Sequence, residues 1–427
     1  MRVSPKPILG TGKTTISKAT ICHPWERSDM NKLTVDDLSV EGRSVLMRVD
    51  FNVPLERGQV ADETRIRAAL PTINAIIERG GRLVLMSHLG RPKGQRVAEL
   101  SLAPCVDALQ KLLQQPVAFV EDCVGQAALA SAELLNDGEI LLLENLRFHR
   151  EETDNDPTFA AELARLGDVY VNDAFGTAHR AHASTEGVTH HISQCAAGYL
   201  LMKEIDYLGK VIESPAKPFV AVLGGAKISG KIDVIGHLLD KVDHILIGGG
   251  MAYTFFKARG YGIGTSLVEE DRVDMARRLL DKGGDKIVLP TDTMVTDELD
   301  IKQGLIGGLK TTPVDAIPEG WYGVDIGPRT ILQYGQILRT ARTVVWNGPM
   351  GIFELAPSAE GTFALARMMA EITATGATTV IGGGDSARAV GDAGVADKVS
   401  HVSTGGGASL EMLEGKTLPG VAALSDK

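Results

Sequence analysis

Short apolar runs alternate with longer amphipathic stretches along most of the chain. The runs fall at 44–50, 82–87, 116–120, 139–143 and 168–172 in the first half, and at 218–223, 244–248, 286–289, 342–346 and 378–382 in the second. They are rich in Val, Ile and Leu and carry few alternating polar residues, as strands covered on both faces by helices do. Strands alternating with helical stretches predict right-handed βαβ units and parallel sheets. Five strands in each half predict an α/β fold of two doubly wound, Rossmann-like domains. Between them, Leu201 to Ile212 places apolar residues at 201, 205, 208, 211 and 212, the spacing of a helix with one buried face. Ser214-Pro215-Ala216-Lys217-Pro218 ends that helix, because proline lacks the N–H and clashes with the preceding turn. A helix running into a proline-bounded joint near 200–217 predicts a helical hinge; an ordinary surface connection would read the same way.

Composition narrows the class. A chain of 427 residues suggests two or three domains of roughly 150 residues. Hydrophobic residues at 44% and charged residues at 23% are those of a globular chain and exclude a disordered or collagen-like one. No run of 18 apolar residues occurs, so no membrane span is predicted. Acidic residues outnumber basic ones, 54 to 44, for a net charge of −10. General nucleic-acid binding needs a basic footprint that this balance lacks; an anionic substrate would have to be met by arginines gathered locally. The four cysteines, Cys22, Cys105, Cys123 and Cys195, form no CxxC and read as incidental thiols of a reducing cytoplasm. Residues 1–29 hold five basic and two acidic residues, no apolar period and no apolar core of a secretory signal. They read as a disordered extension, with Met30 as an alternative start. Gly10-Thr11-Gly12-Lys13-Thr14 suggests a phosphate loop, but Pro7 stands where that pattern requires glycine.

In open α/β sheets ligands sit beyond the carboxyl ends of the strands, and those ends differ between the halves. In the first they read RVDFNVP (48–54), SHLGRP (87–92), ENLRF (144–148) and NDAFG (172–176), leading to His179-Arg180-Ala181-His182. In the second they read GGAK (224–227), GGG (248–250), NGP (347–349) and GGGDS (382–386), with TGGG at 404–407. Guanidinium forks bind carboxylate and phosphate bidentately, so Arg65, Arg91, Arg147 and Arg180, with His88, predict a basic pocket for a small phosphorylated acid. Glycines opening helices let backbone N–H groups approach phosphates. Lys227 and Lys231 lie four apart and would reach phosphate oxygens. Asp385, at a glycine-rich helix start, would hold Mg²⁺ on nucleotide phosphates or simply cap the helix. One arginine or one triple glycine is usually a solvated charge or a turn; the weight lies in their clustering. His179 and His182 read as structural. No Gly-x-Gly-x-x-Gly with a downstream acid occurs, which disfavours a dinucleotide dehydrogenase.

With GGAKISGKI (224–232), GGGMAYTF (248–255), DIGPRT (325–330), WNGPMGIFE (346–354) and STGGGASLE (403–411), these strings resemble the phosphoglycerate kinase family from about Met30 to the C-terminus. The resemblance implies a bilobal cytoplasmic monomer. Its reaction would be Mg²⁺-dependent transfer of a phosphoryl group between 1,3-bisphosphoglycerate and ADP, giving 3-phosphoglycerate and ATP. It implies 3-phosphoglycerate on Asp50, Asn52, Arg65, His88, Arg91, Arg147 and Arg180. It implies nucleotide on Lys227, Lys231, Gly248, Gly249, Gly323, Asn347, Pro349, Glu354, Gly383, Gly384, Asp385 and Ser386, with Asp385 addressing the metal. The segment after about 410 would return to the first domain. That gives domains of 30–204 plus 410–427 and of 218–409, with a hinge at 205–217. Gly230, Arg329 and Arg388 depart from the pattern and put nucleotide affinity in question.

No nucleophile–base pair stands beside these loops, so direct in-line transfer is expected. Arg65 and Lys227 would stabilise charge on the transferring group, helped by backbone N–H groups of Gly383 and Gly406. Two other readings stay open: a catalytically silent nucleotide sensor on the same fold, and a two-lobed receptor for small anions.

Overall fold

The computed structural model describes Met1 and residues 31–427. The rest of the expected extension, Met30, the string at 10–14 and Cys22 lie outside the described residues. All ten expected strands are present. The first half builds β1 (Ser44–Arg48), β2 (Arg82–Met86), β3 (Ala118–Val120), β4 (Ile140–Leu143) and β5 (Val169–Asn172). A sixth strand, β6 (Cys195–Ala197), was not foreseen: three small residues carry no periodic signal. The sheet is parallel, in the order β3-β4-β2-β1-β5-β6.

The second half repeats the design with β7 (Phe219–Leu223), β8 (His244–Ile247) and β9 (Ile287–Val288). An insertion follows, in which β10 (Asp292–Thr296) pairs antiparallel with β11 (Leu309–Pro313) and β12 (Tyr322–Ile326). The chain then returns to the main sheet through β13 (Thr343–Asn347), β14 (Thr378–Gly382) and β15 (His401–Val402), giving the parallel order β9-β8-β7-β13-β14-β15. The expectation of five strands per half is thus corrected: each main sheet has six parallel strands, and an antiparallel insertion flanks the second. The insertion escaped notice because β11, Leu-Lys-Thr-Thr-Pro, is exposed except at Thr312.

Central strands are buried residue after residue, as in Phe219–Leu223 and Thr343–Asn347, because helices cover both faces. Helix α1 (Thr64–Ile77) lies in the first half, and the helix expected at 201–212 is α2 (Tyr199–Glu213). Its buried face, including Leu201, Ile205, Leu208, Val211 and Ile212, joins a hydrophobic cluster that runs from Leu46 in the first sheet to Val345 in the second. Buried Glu204 on the same helix accepts Nε2–H of His401 at 2.8 Å and the N–H and hydroxyl of Thr404 at 2.6 and 2.8 Å. Thus α2 is tied by hydrogen bonds to the glycine-rich segment 404–407. The chain end lies against the first sheet: Ser425 N–H donates to Cys195 O, and Asn172 Nδ2 donates to Gly420 O. Among the described residues no helix is long and apolar enough to cross a membrane.

Candidate active site

The seven residues expected to hold the phosphorylated acid, Asp50, Asn52, Arg65, His88, Arg91, Arg147 and Arg180, line one cavity of about 220 Å³. Six of them follow the carboxyl ends of β1, β2, β4 and β5, and Arg65 reaches in from the first turn of α1. The loops interlock around Gly90. Its N–H donates to Asn52 Oδ1 at 2.9 Å, and its carbonyl accepts Nη1–H of Arg147 at 2.8 Å. Its φ of +63° and the Leu100 side chain where a Cβ would project explain why no other residue serves there. Asn145 stiffens the next loop, accepting from Leu89 and Arg147 N–H and donating to Leu89 and Leu100 carbonyls. Asp50 Oδ2 holds Arg65 Nη1 at 2.6 Å, so the guanidinium is aimed before any ligand arrives.

Charge in this cavity is under-compensated. Burial, then the charges of Arg48 and Arg180, bring Arg147 down to about 10. Burial, then Arg48, Arg147 and Arg65, push His88 well below its ordinary value, so it is neutral at physiological pH. Its Nδ1 faces Arg48 Nη2 at 3.1 Å; a guanidinium only donates, which assigns the proton to Nε2 as a donor. An anion entering the cavity would relieve the repulsion among the arginines.

Arg48, fully buried, was missed as a functional residue because it reads as the last residue of a strand. Its Nε donates to Ser184 Oγ, which donates in turn to buried Glu152 Oε1. That relay supplies the carboxylate that a buried cation requires. His182 stands 3.7 Å from the same carboxylate, and burial and the surrounding arginines bring it down to about 3. Thr404, Gly405 and Gly406 also form part of the wall, although their chain segment follows the second sheet.

The second half contributes two adjoining cavities. One is lined by Lys227, Lys231, Asn347, Pro349, Gly383, Gly384, Asp385, Ser386 and Gly406. Lys231 donates to Asn347 Oδ1, and burial brings its ammonium down to about 8 against the pull of Glu414 and Asp385. Ser386 Oγ accepts the N–H of Gly348 at 2.6 Å, fixing the turn after β13 to the start of α4 (Gly384–Asp392), after α3 (Met251–Ala258). Asp385 is exposed at that helix start. Glu269 braces the lysine loop by accepting Ser229 N–H at 2.9 Å. Burial pushes its carboxyl up, but bonds from Ser229 and Ile228 and the Lys227 charge outweigh this and hold it low.

The other cavity, about 460 Å³, is largely apolar, with walls from Tyr253, Leu267, Val324, Met350 and Ile352. Gly249, Gly323, Pro349, Glu354 and Asp385 of the expected set line it too. Gly323 is glycine for a steric reason: a Cβ there would land on the Tyr253 ring and hydroxyl, and Tyr253 is held by Thr293 Oγ1 at 2.7 Å. Gly248 is the exception among the expected residues. It lines none of these cavities; its missing side chain admits Met350 behind the wall, and its N–H donates to Leu223 O. The apolar walls gave no sequence signal because an apolar residue lining a cavity reads like one in the core.

Two of the three departures have structural explanations, and nothing in the structure explains Gly230. Arg388 packs its guanidinium 5.5 Å from the Phe353 ring centroid and pairs with Asp392 at 3.6 Å. Arg329 lies 3.6 Å from buried Asp292, and its own N–H donates to that carboxylate at 3.0 Å. Gly230 has open space where a side chain would project.

Gly406 is common to the basic cavity and the lysine-lined cavity, so the two adjoin. The family profile described as phosphoglycerate kinase matches residues 35–416. The phosphoglycerate kinase of Chloroherpeton thalassium is 56% identical over 400 residues, 93% of this chain and 100% of that relative. That of Chlorobium limicola is 56% identical over 401 residues, with the same coverage. Among solved structures, phosphoglycerate kinase from Coxiella burnetii has a TM-score of 0.82 at 40% identity over 92% of this chain and 98% of that one. The Pyrococcus horikoshii OT3 enzyme gives 0.79 at 32% identity, with the same coverage.

Proposed function

The chain belongs to the phosphoglycerate kinase family and is a kinase of glycolytic phosphoryl transfer, and from that premise we propose how its cavities divide the work. The basic cavity takes 3-phosphoglycerate or 1,3-bisphosphoglycerate on Asp50, Asn52, Arg65, His88, Arg91, Arg147 and Arg180. The apolar cavity takes adenosine beside Gly249 and Gly323, with Glu354 at the ribose. The phosphates lie along Lys227, Lys231, Asn347, Gly383, Gly384 and Ser386. The observation that carries the proposal is the meeting of the cationic and glycine-walled cavities at Gly406.

The accepting group in the ATP-consuming direction is a carboxylate, already ionised at neutral pH, so no general base is required. Catalysis then rests on alignment and on neutralising charge over the transferring group. Arg65, aimed by Asp50, and Lys227 supply that charge from opposite sides, and the N–H groups of Gly383 and Gly406 add dipoles. His88, held neutral, donates without adding to the repulsion. The exposed carboxylate of Asp385, where the two nucleotide cavities join, suits a hard cation that keeps part of its water shell. Mg²⁺ held there would neutralise phosphate charge. Closure about α2 would exclude water from the acyl phosphate. The protein works in this reading as a cytoplasmic monomer, in domains of 30–204 plus 410–427 and of 218–409 with the hinge at 205–217.

The test is a coupled assay of the full chain with 3-phosphoglycerate and Mg-ATP, following NADH oxidation through glyceraldehyde-3-phosphate dehydrogenase, beside Arg65→Ala. Activity that falls by about 10²-fold or more in the variant is expected, the loss typical of one preorganised charge contact. An inactive parent that still binds ATP would instead identify a silent nucleotide sensor.

A further inference from the structure

Away from these cavities, Asp122, Cys123 and His149 bring one oxygen, one sulfur and one nitrogen ligand atom within 4.8 Å of one another. We propose that this cluster is a binding site for a borderline-soft divalent cation such as Zn²⁺, distinct from the Mg-nucleotide site. Two separate chain segments build it. Asp122 and Cys123 follow the edge strand β3, and His149 follows the turn Leu146–Phe148 beyond β4. The geometry is partly set in advance. Asp122 Oδ1 accepts both the Cys123 N–H and a proton from His149 Nε2, each at 2.7 Å. The His149 ring packs against Phe159, centroids 5.1 Å apart, which restrains its orientation.

The donor set selects the metal class. Imidazole, thiolate and carboxylate together are the ligands of zinc, whereas Mg²⁺ prefers oxygen alone. Bonds of ~2.0–2.3 Å place tetrahedral ligands roughly 3.3–3.7 Å apart, so small rotations of the three side chains suffice. The fourth position would hold water. Cys123 is buried, while the Asp122 and His149 side chains retain 47% and 30% of their exposure and leave an entry from the surface. Binding converts the Cys123 thiol to a metal thiolate and releases its proton to solvent; His149 gives up the Nε2 proton it shares with Asp122 and carries one on Nδ1 instead, so that the neutral imidazole binds through Nε2.

Co²⁺ serves as the probe, because thiolate coordination gives a near-ultraviolet charge-transfer band that oxygen ligands do not. Titrating the full chain without nucleotide is expected to give that band at one Co²⁺ per chain, bleached by added Zn²⁺. Cys123→Ser should abolish the band. His149→Ala, at a partly exposed position, should weaken Co²⁺ binding by more than about 100-fold, beyond the roughly 10–100-fold that loss of an outer-sphere partner costs. Cys22→Ser should leave the band intact. Absence of the band in the parent, or a band surviving in Cys123→Ser, would overturn the site. If Cys123→Ser fails to fold, unchanged Co²⁺ affinity in His149→Ala would overturn it alone.

Discussion

The two halves share an architecture and, in the proposed function, would hold an anion by different means. The first half uses side chains: four arginines and a neutral histidine around a cavity with Asp50 as the carboxylate on its wall. The second half uses backbone and apolar surface, with two lysines. Charged side chains give large, local and directional binding that single substitutions can remove. A backbone site has no side chain to remove; it is disturbed only by adding atoms where none fit. The two halves should therefore fail in opposite ways.

The sharpest break of that contrast is Arg147→Met, which keeps bulk and removes charge. Hydrogen bonds to charged groups are worth about 1.5–3 kcal/mol, so KM for 3-phosphoglycerate should rise by ~10–150-fold with KM for ATP unchanged. A matching rise for ATP would mean that the halves are not separable.

The converse test adds a methyl group. Gly323→Ala places its Cβ against Tyr253 and should push that ring into the apolar cavity. Overpacking costs typically 1–3 kcal/mol, or ~5–150-fold in ATP affinity by calorimetry, with 3-phosphoglycerate affinity preserved. Unchanged ATP binding would move adenosine elsewhere.

These two sites also mark what the sequence could and could not reveal. Arginines following apolar runs are rare enough to point at the basic cavity. The walls from Tyr253, Leu267, Met350 and Ile352 could not be picked out, because an apolar residue facing a ligand looks like one facing the core. Buried strands such as Phe219–Leu223 announced themselves by unbroken hydrophobicity. Cys195–Ala197 and His401–Val402 are too short to do so. Gly248 was grouped with its neighbours by a shared motif, and a Cβ there would meet Met350. Arg48 was passed over because burial of a strand-end cation is set by a partner, Ser184, 136 residues away.

A pH profile tests the lysine side of the comparison. Lys231 sits at about 8 in the free protein, below the ordinary lysine value. Phosphate binds the ammonium form, so ATP affinity should be level below pH 7 and fall about tenfold between pH 7 and 9. Lys231→Met should bind more weakly at pH 7 and show a flatter profile; an unchanged slope would assign the titration to another group. The smallest effect concerns Arg388. Its stacking on Phe353 and pairing with Asp392 are worth about 0.5–1 kcal/mol at an exposed site. Arg388→Ala should therefore change the ATP KM by less than about fivefold. A larger change would return Arg388 to the nucleotide site.

The measurement that bears most directly on transfer between two differently built half-sites is the rate and ligand affinity of Lys227→Ala. If Lys227 acts on the transferring group, kcat at saturating substrates falls by about 10²–10³-fold. The dissociation constant for 3-phosphoglycerate should stay unchanged and that for ATP rise less than about tenfold. A variant that recovers the parent kcat once ATP is raised would contradict this, leaving Lys227 as a binding residue only.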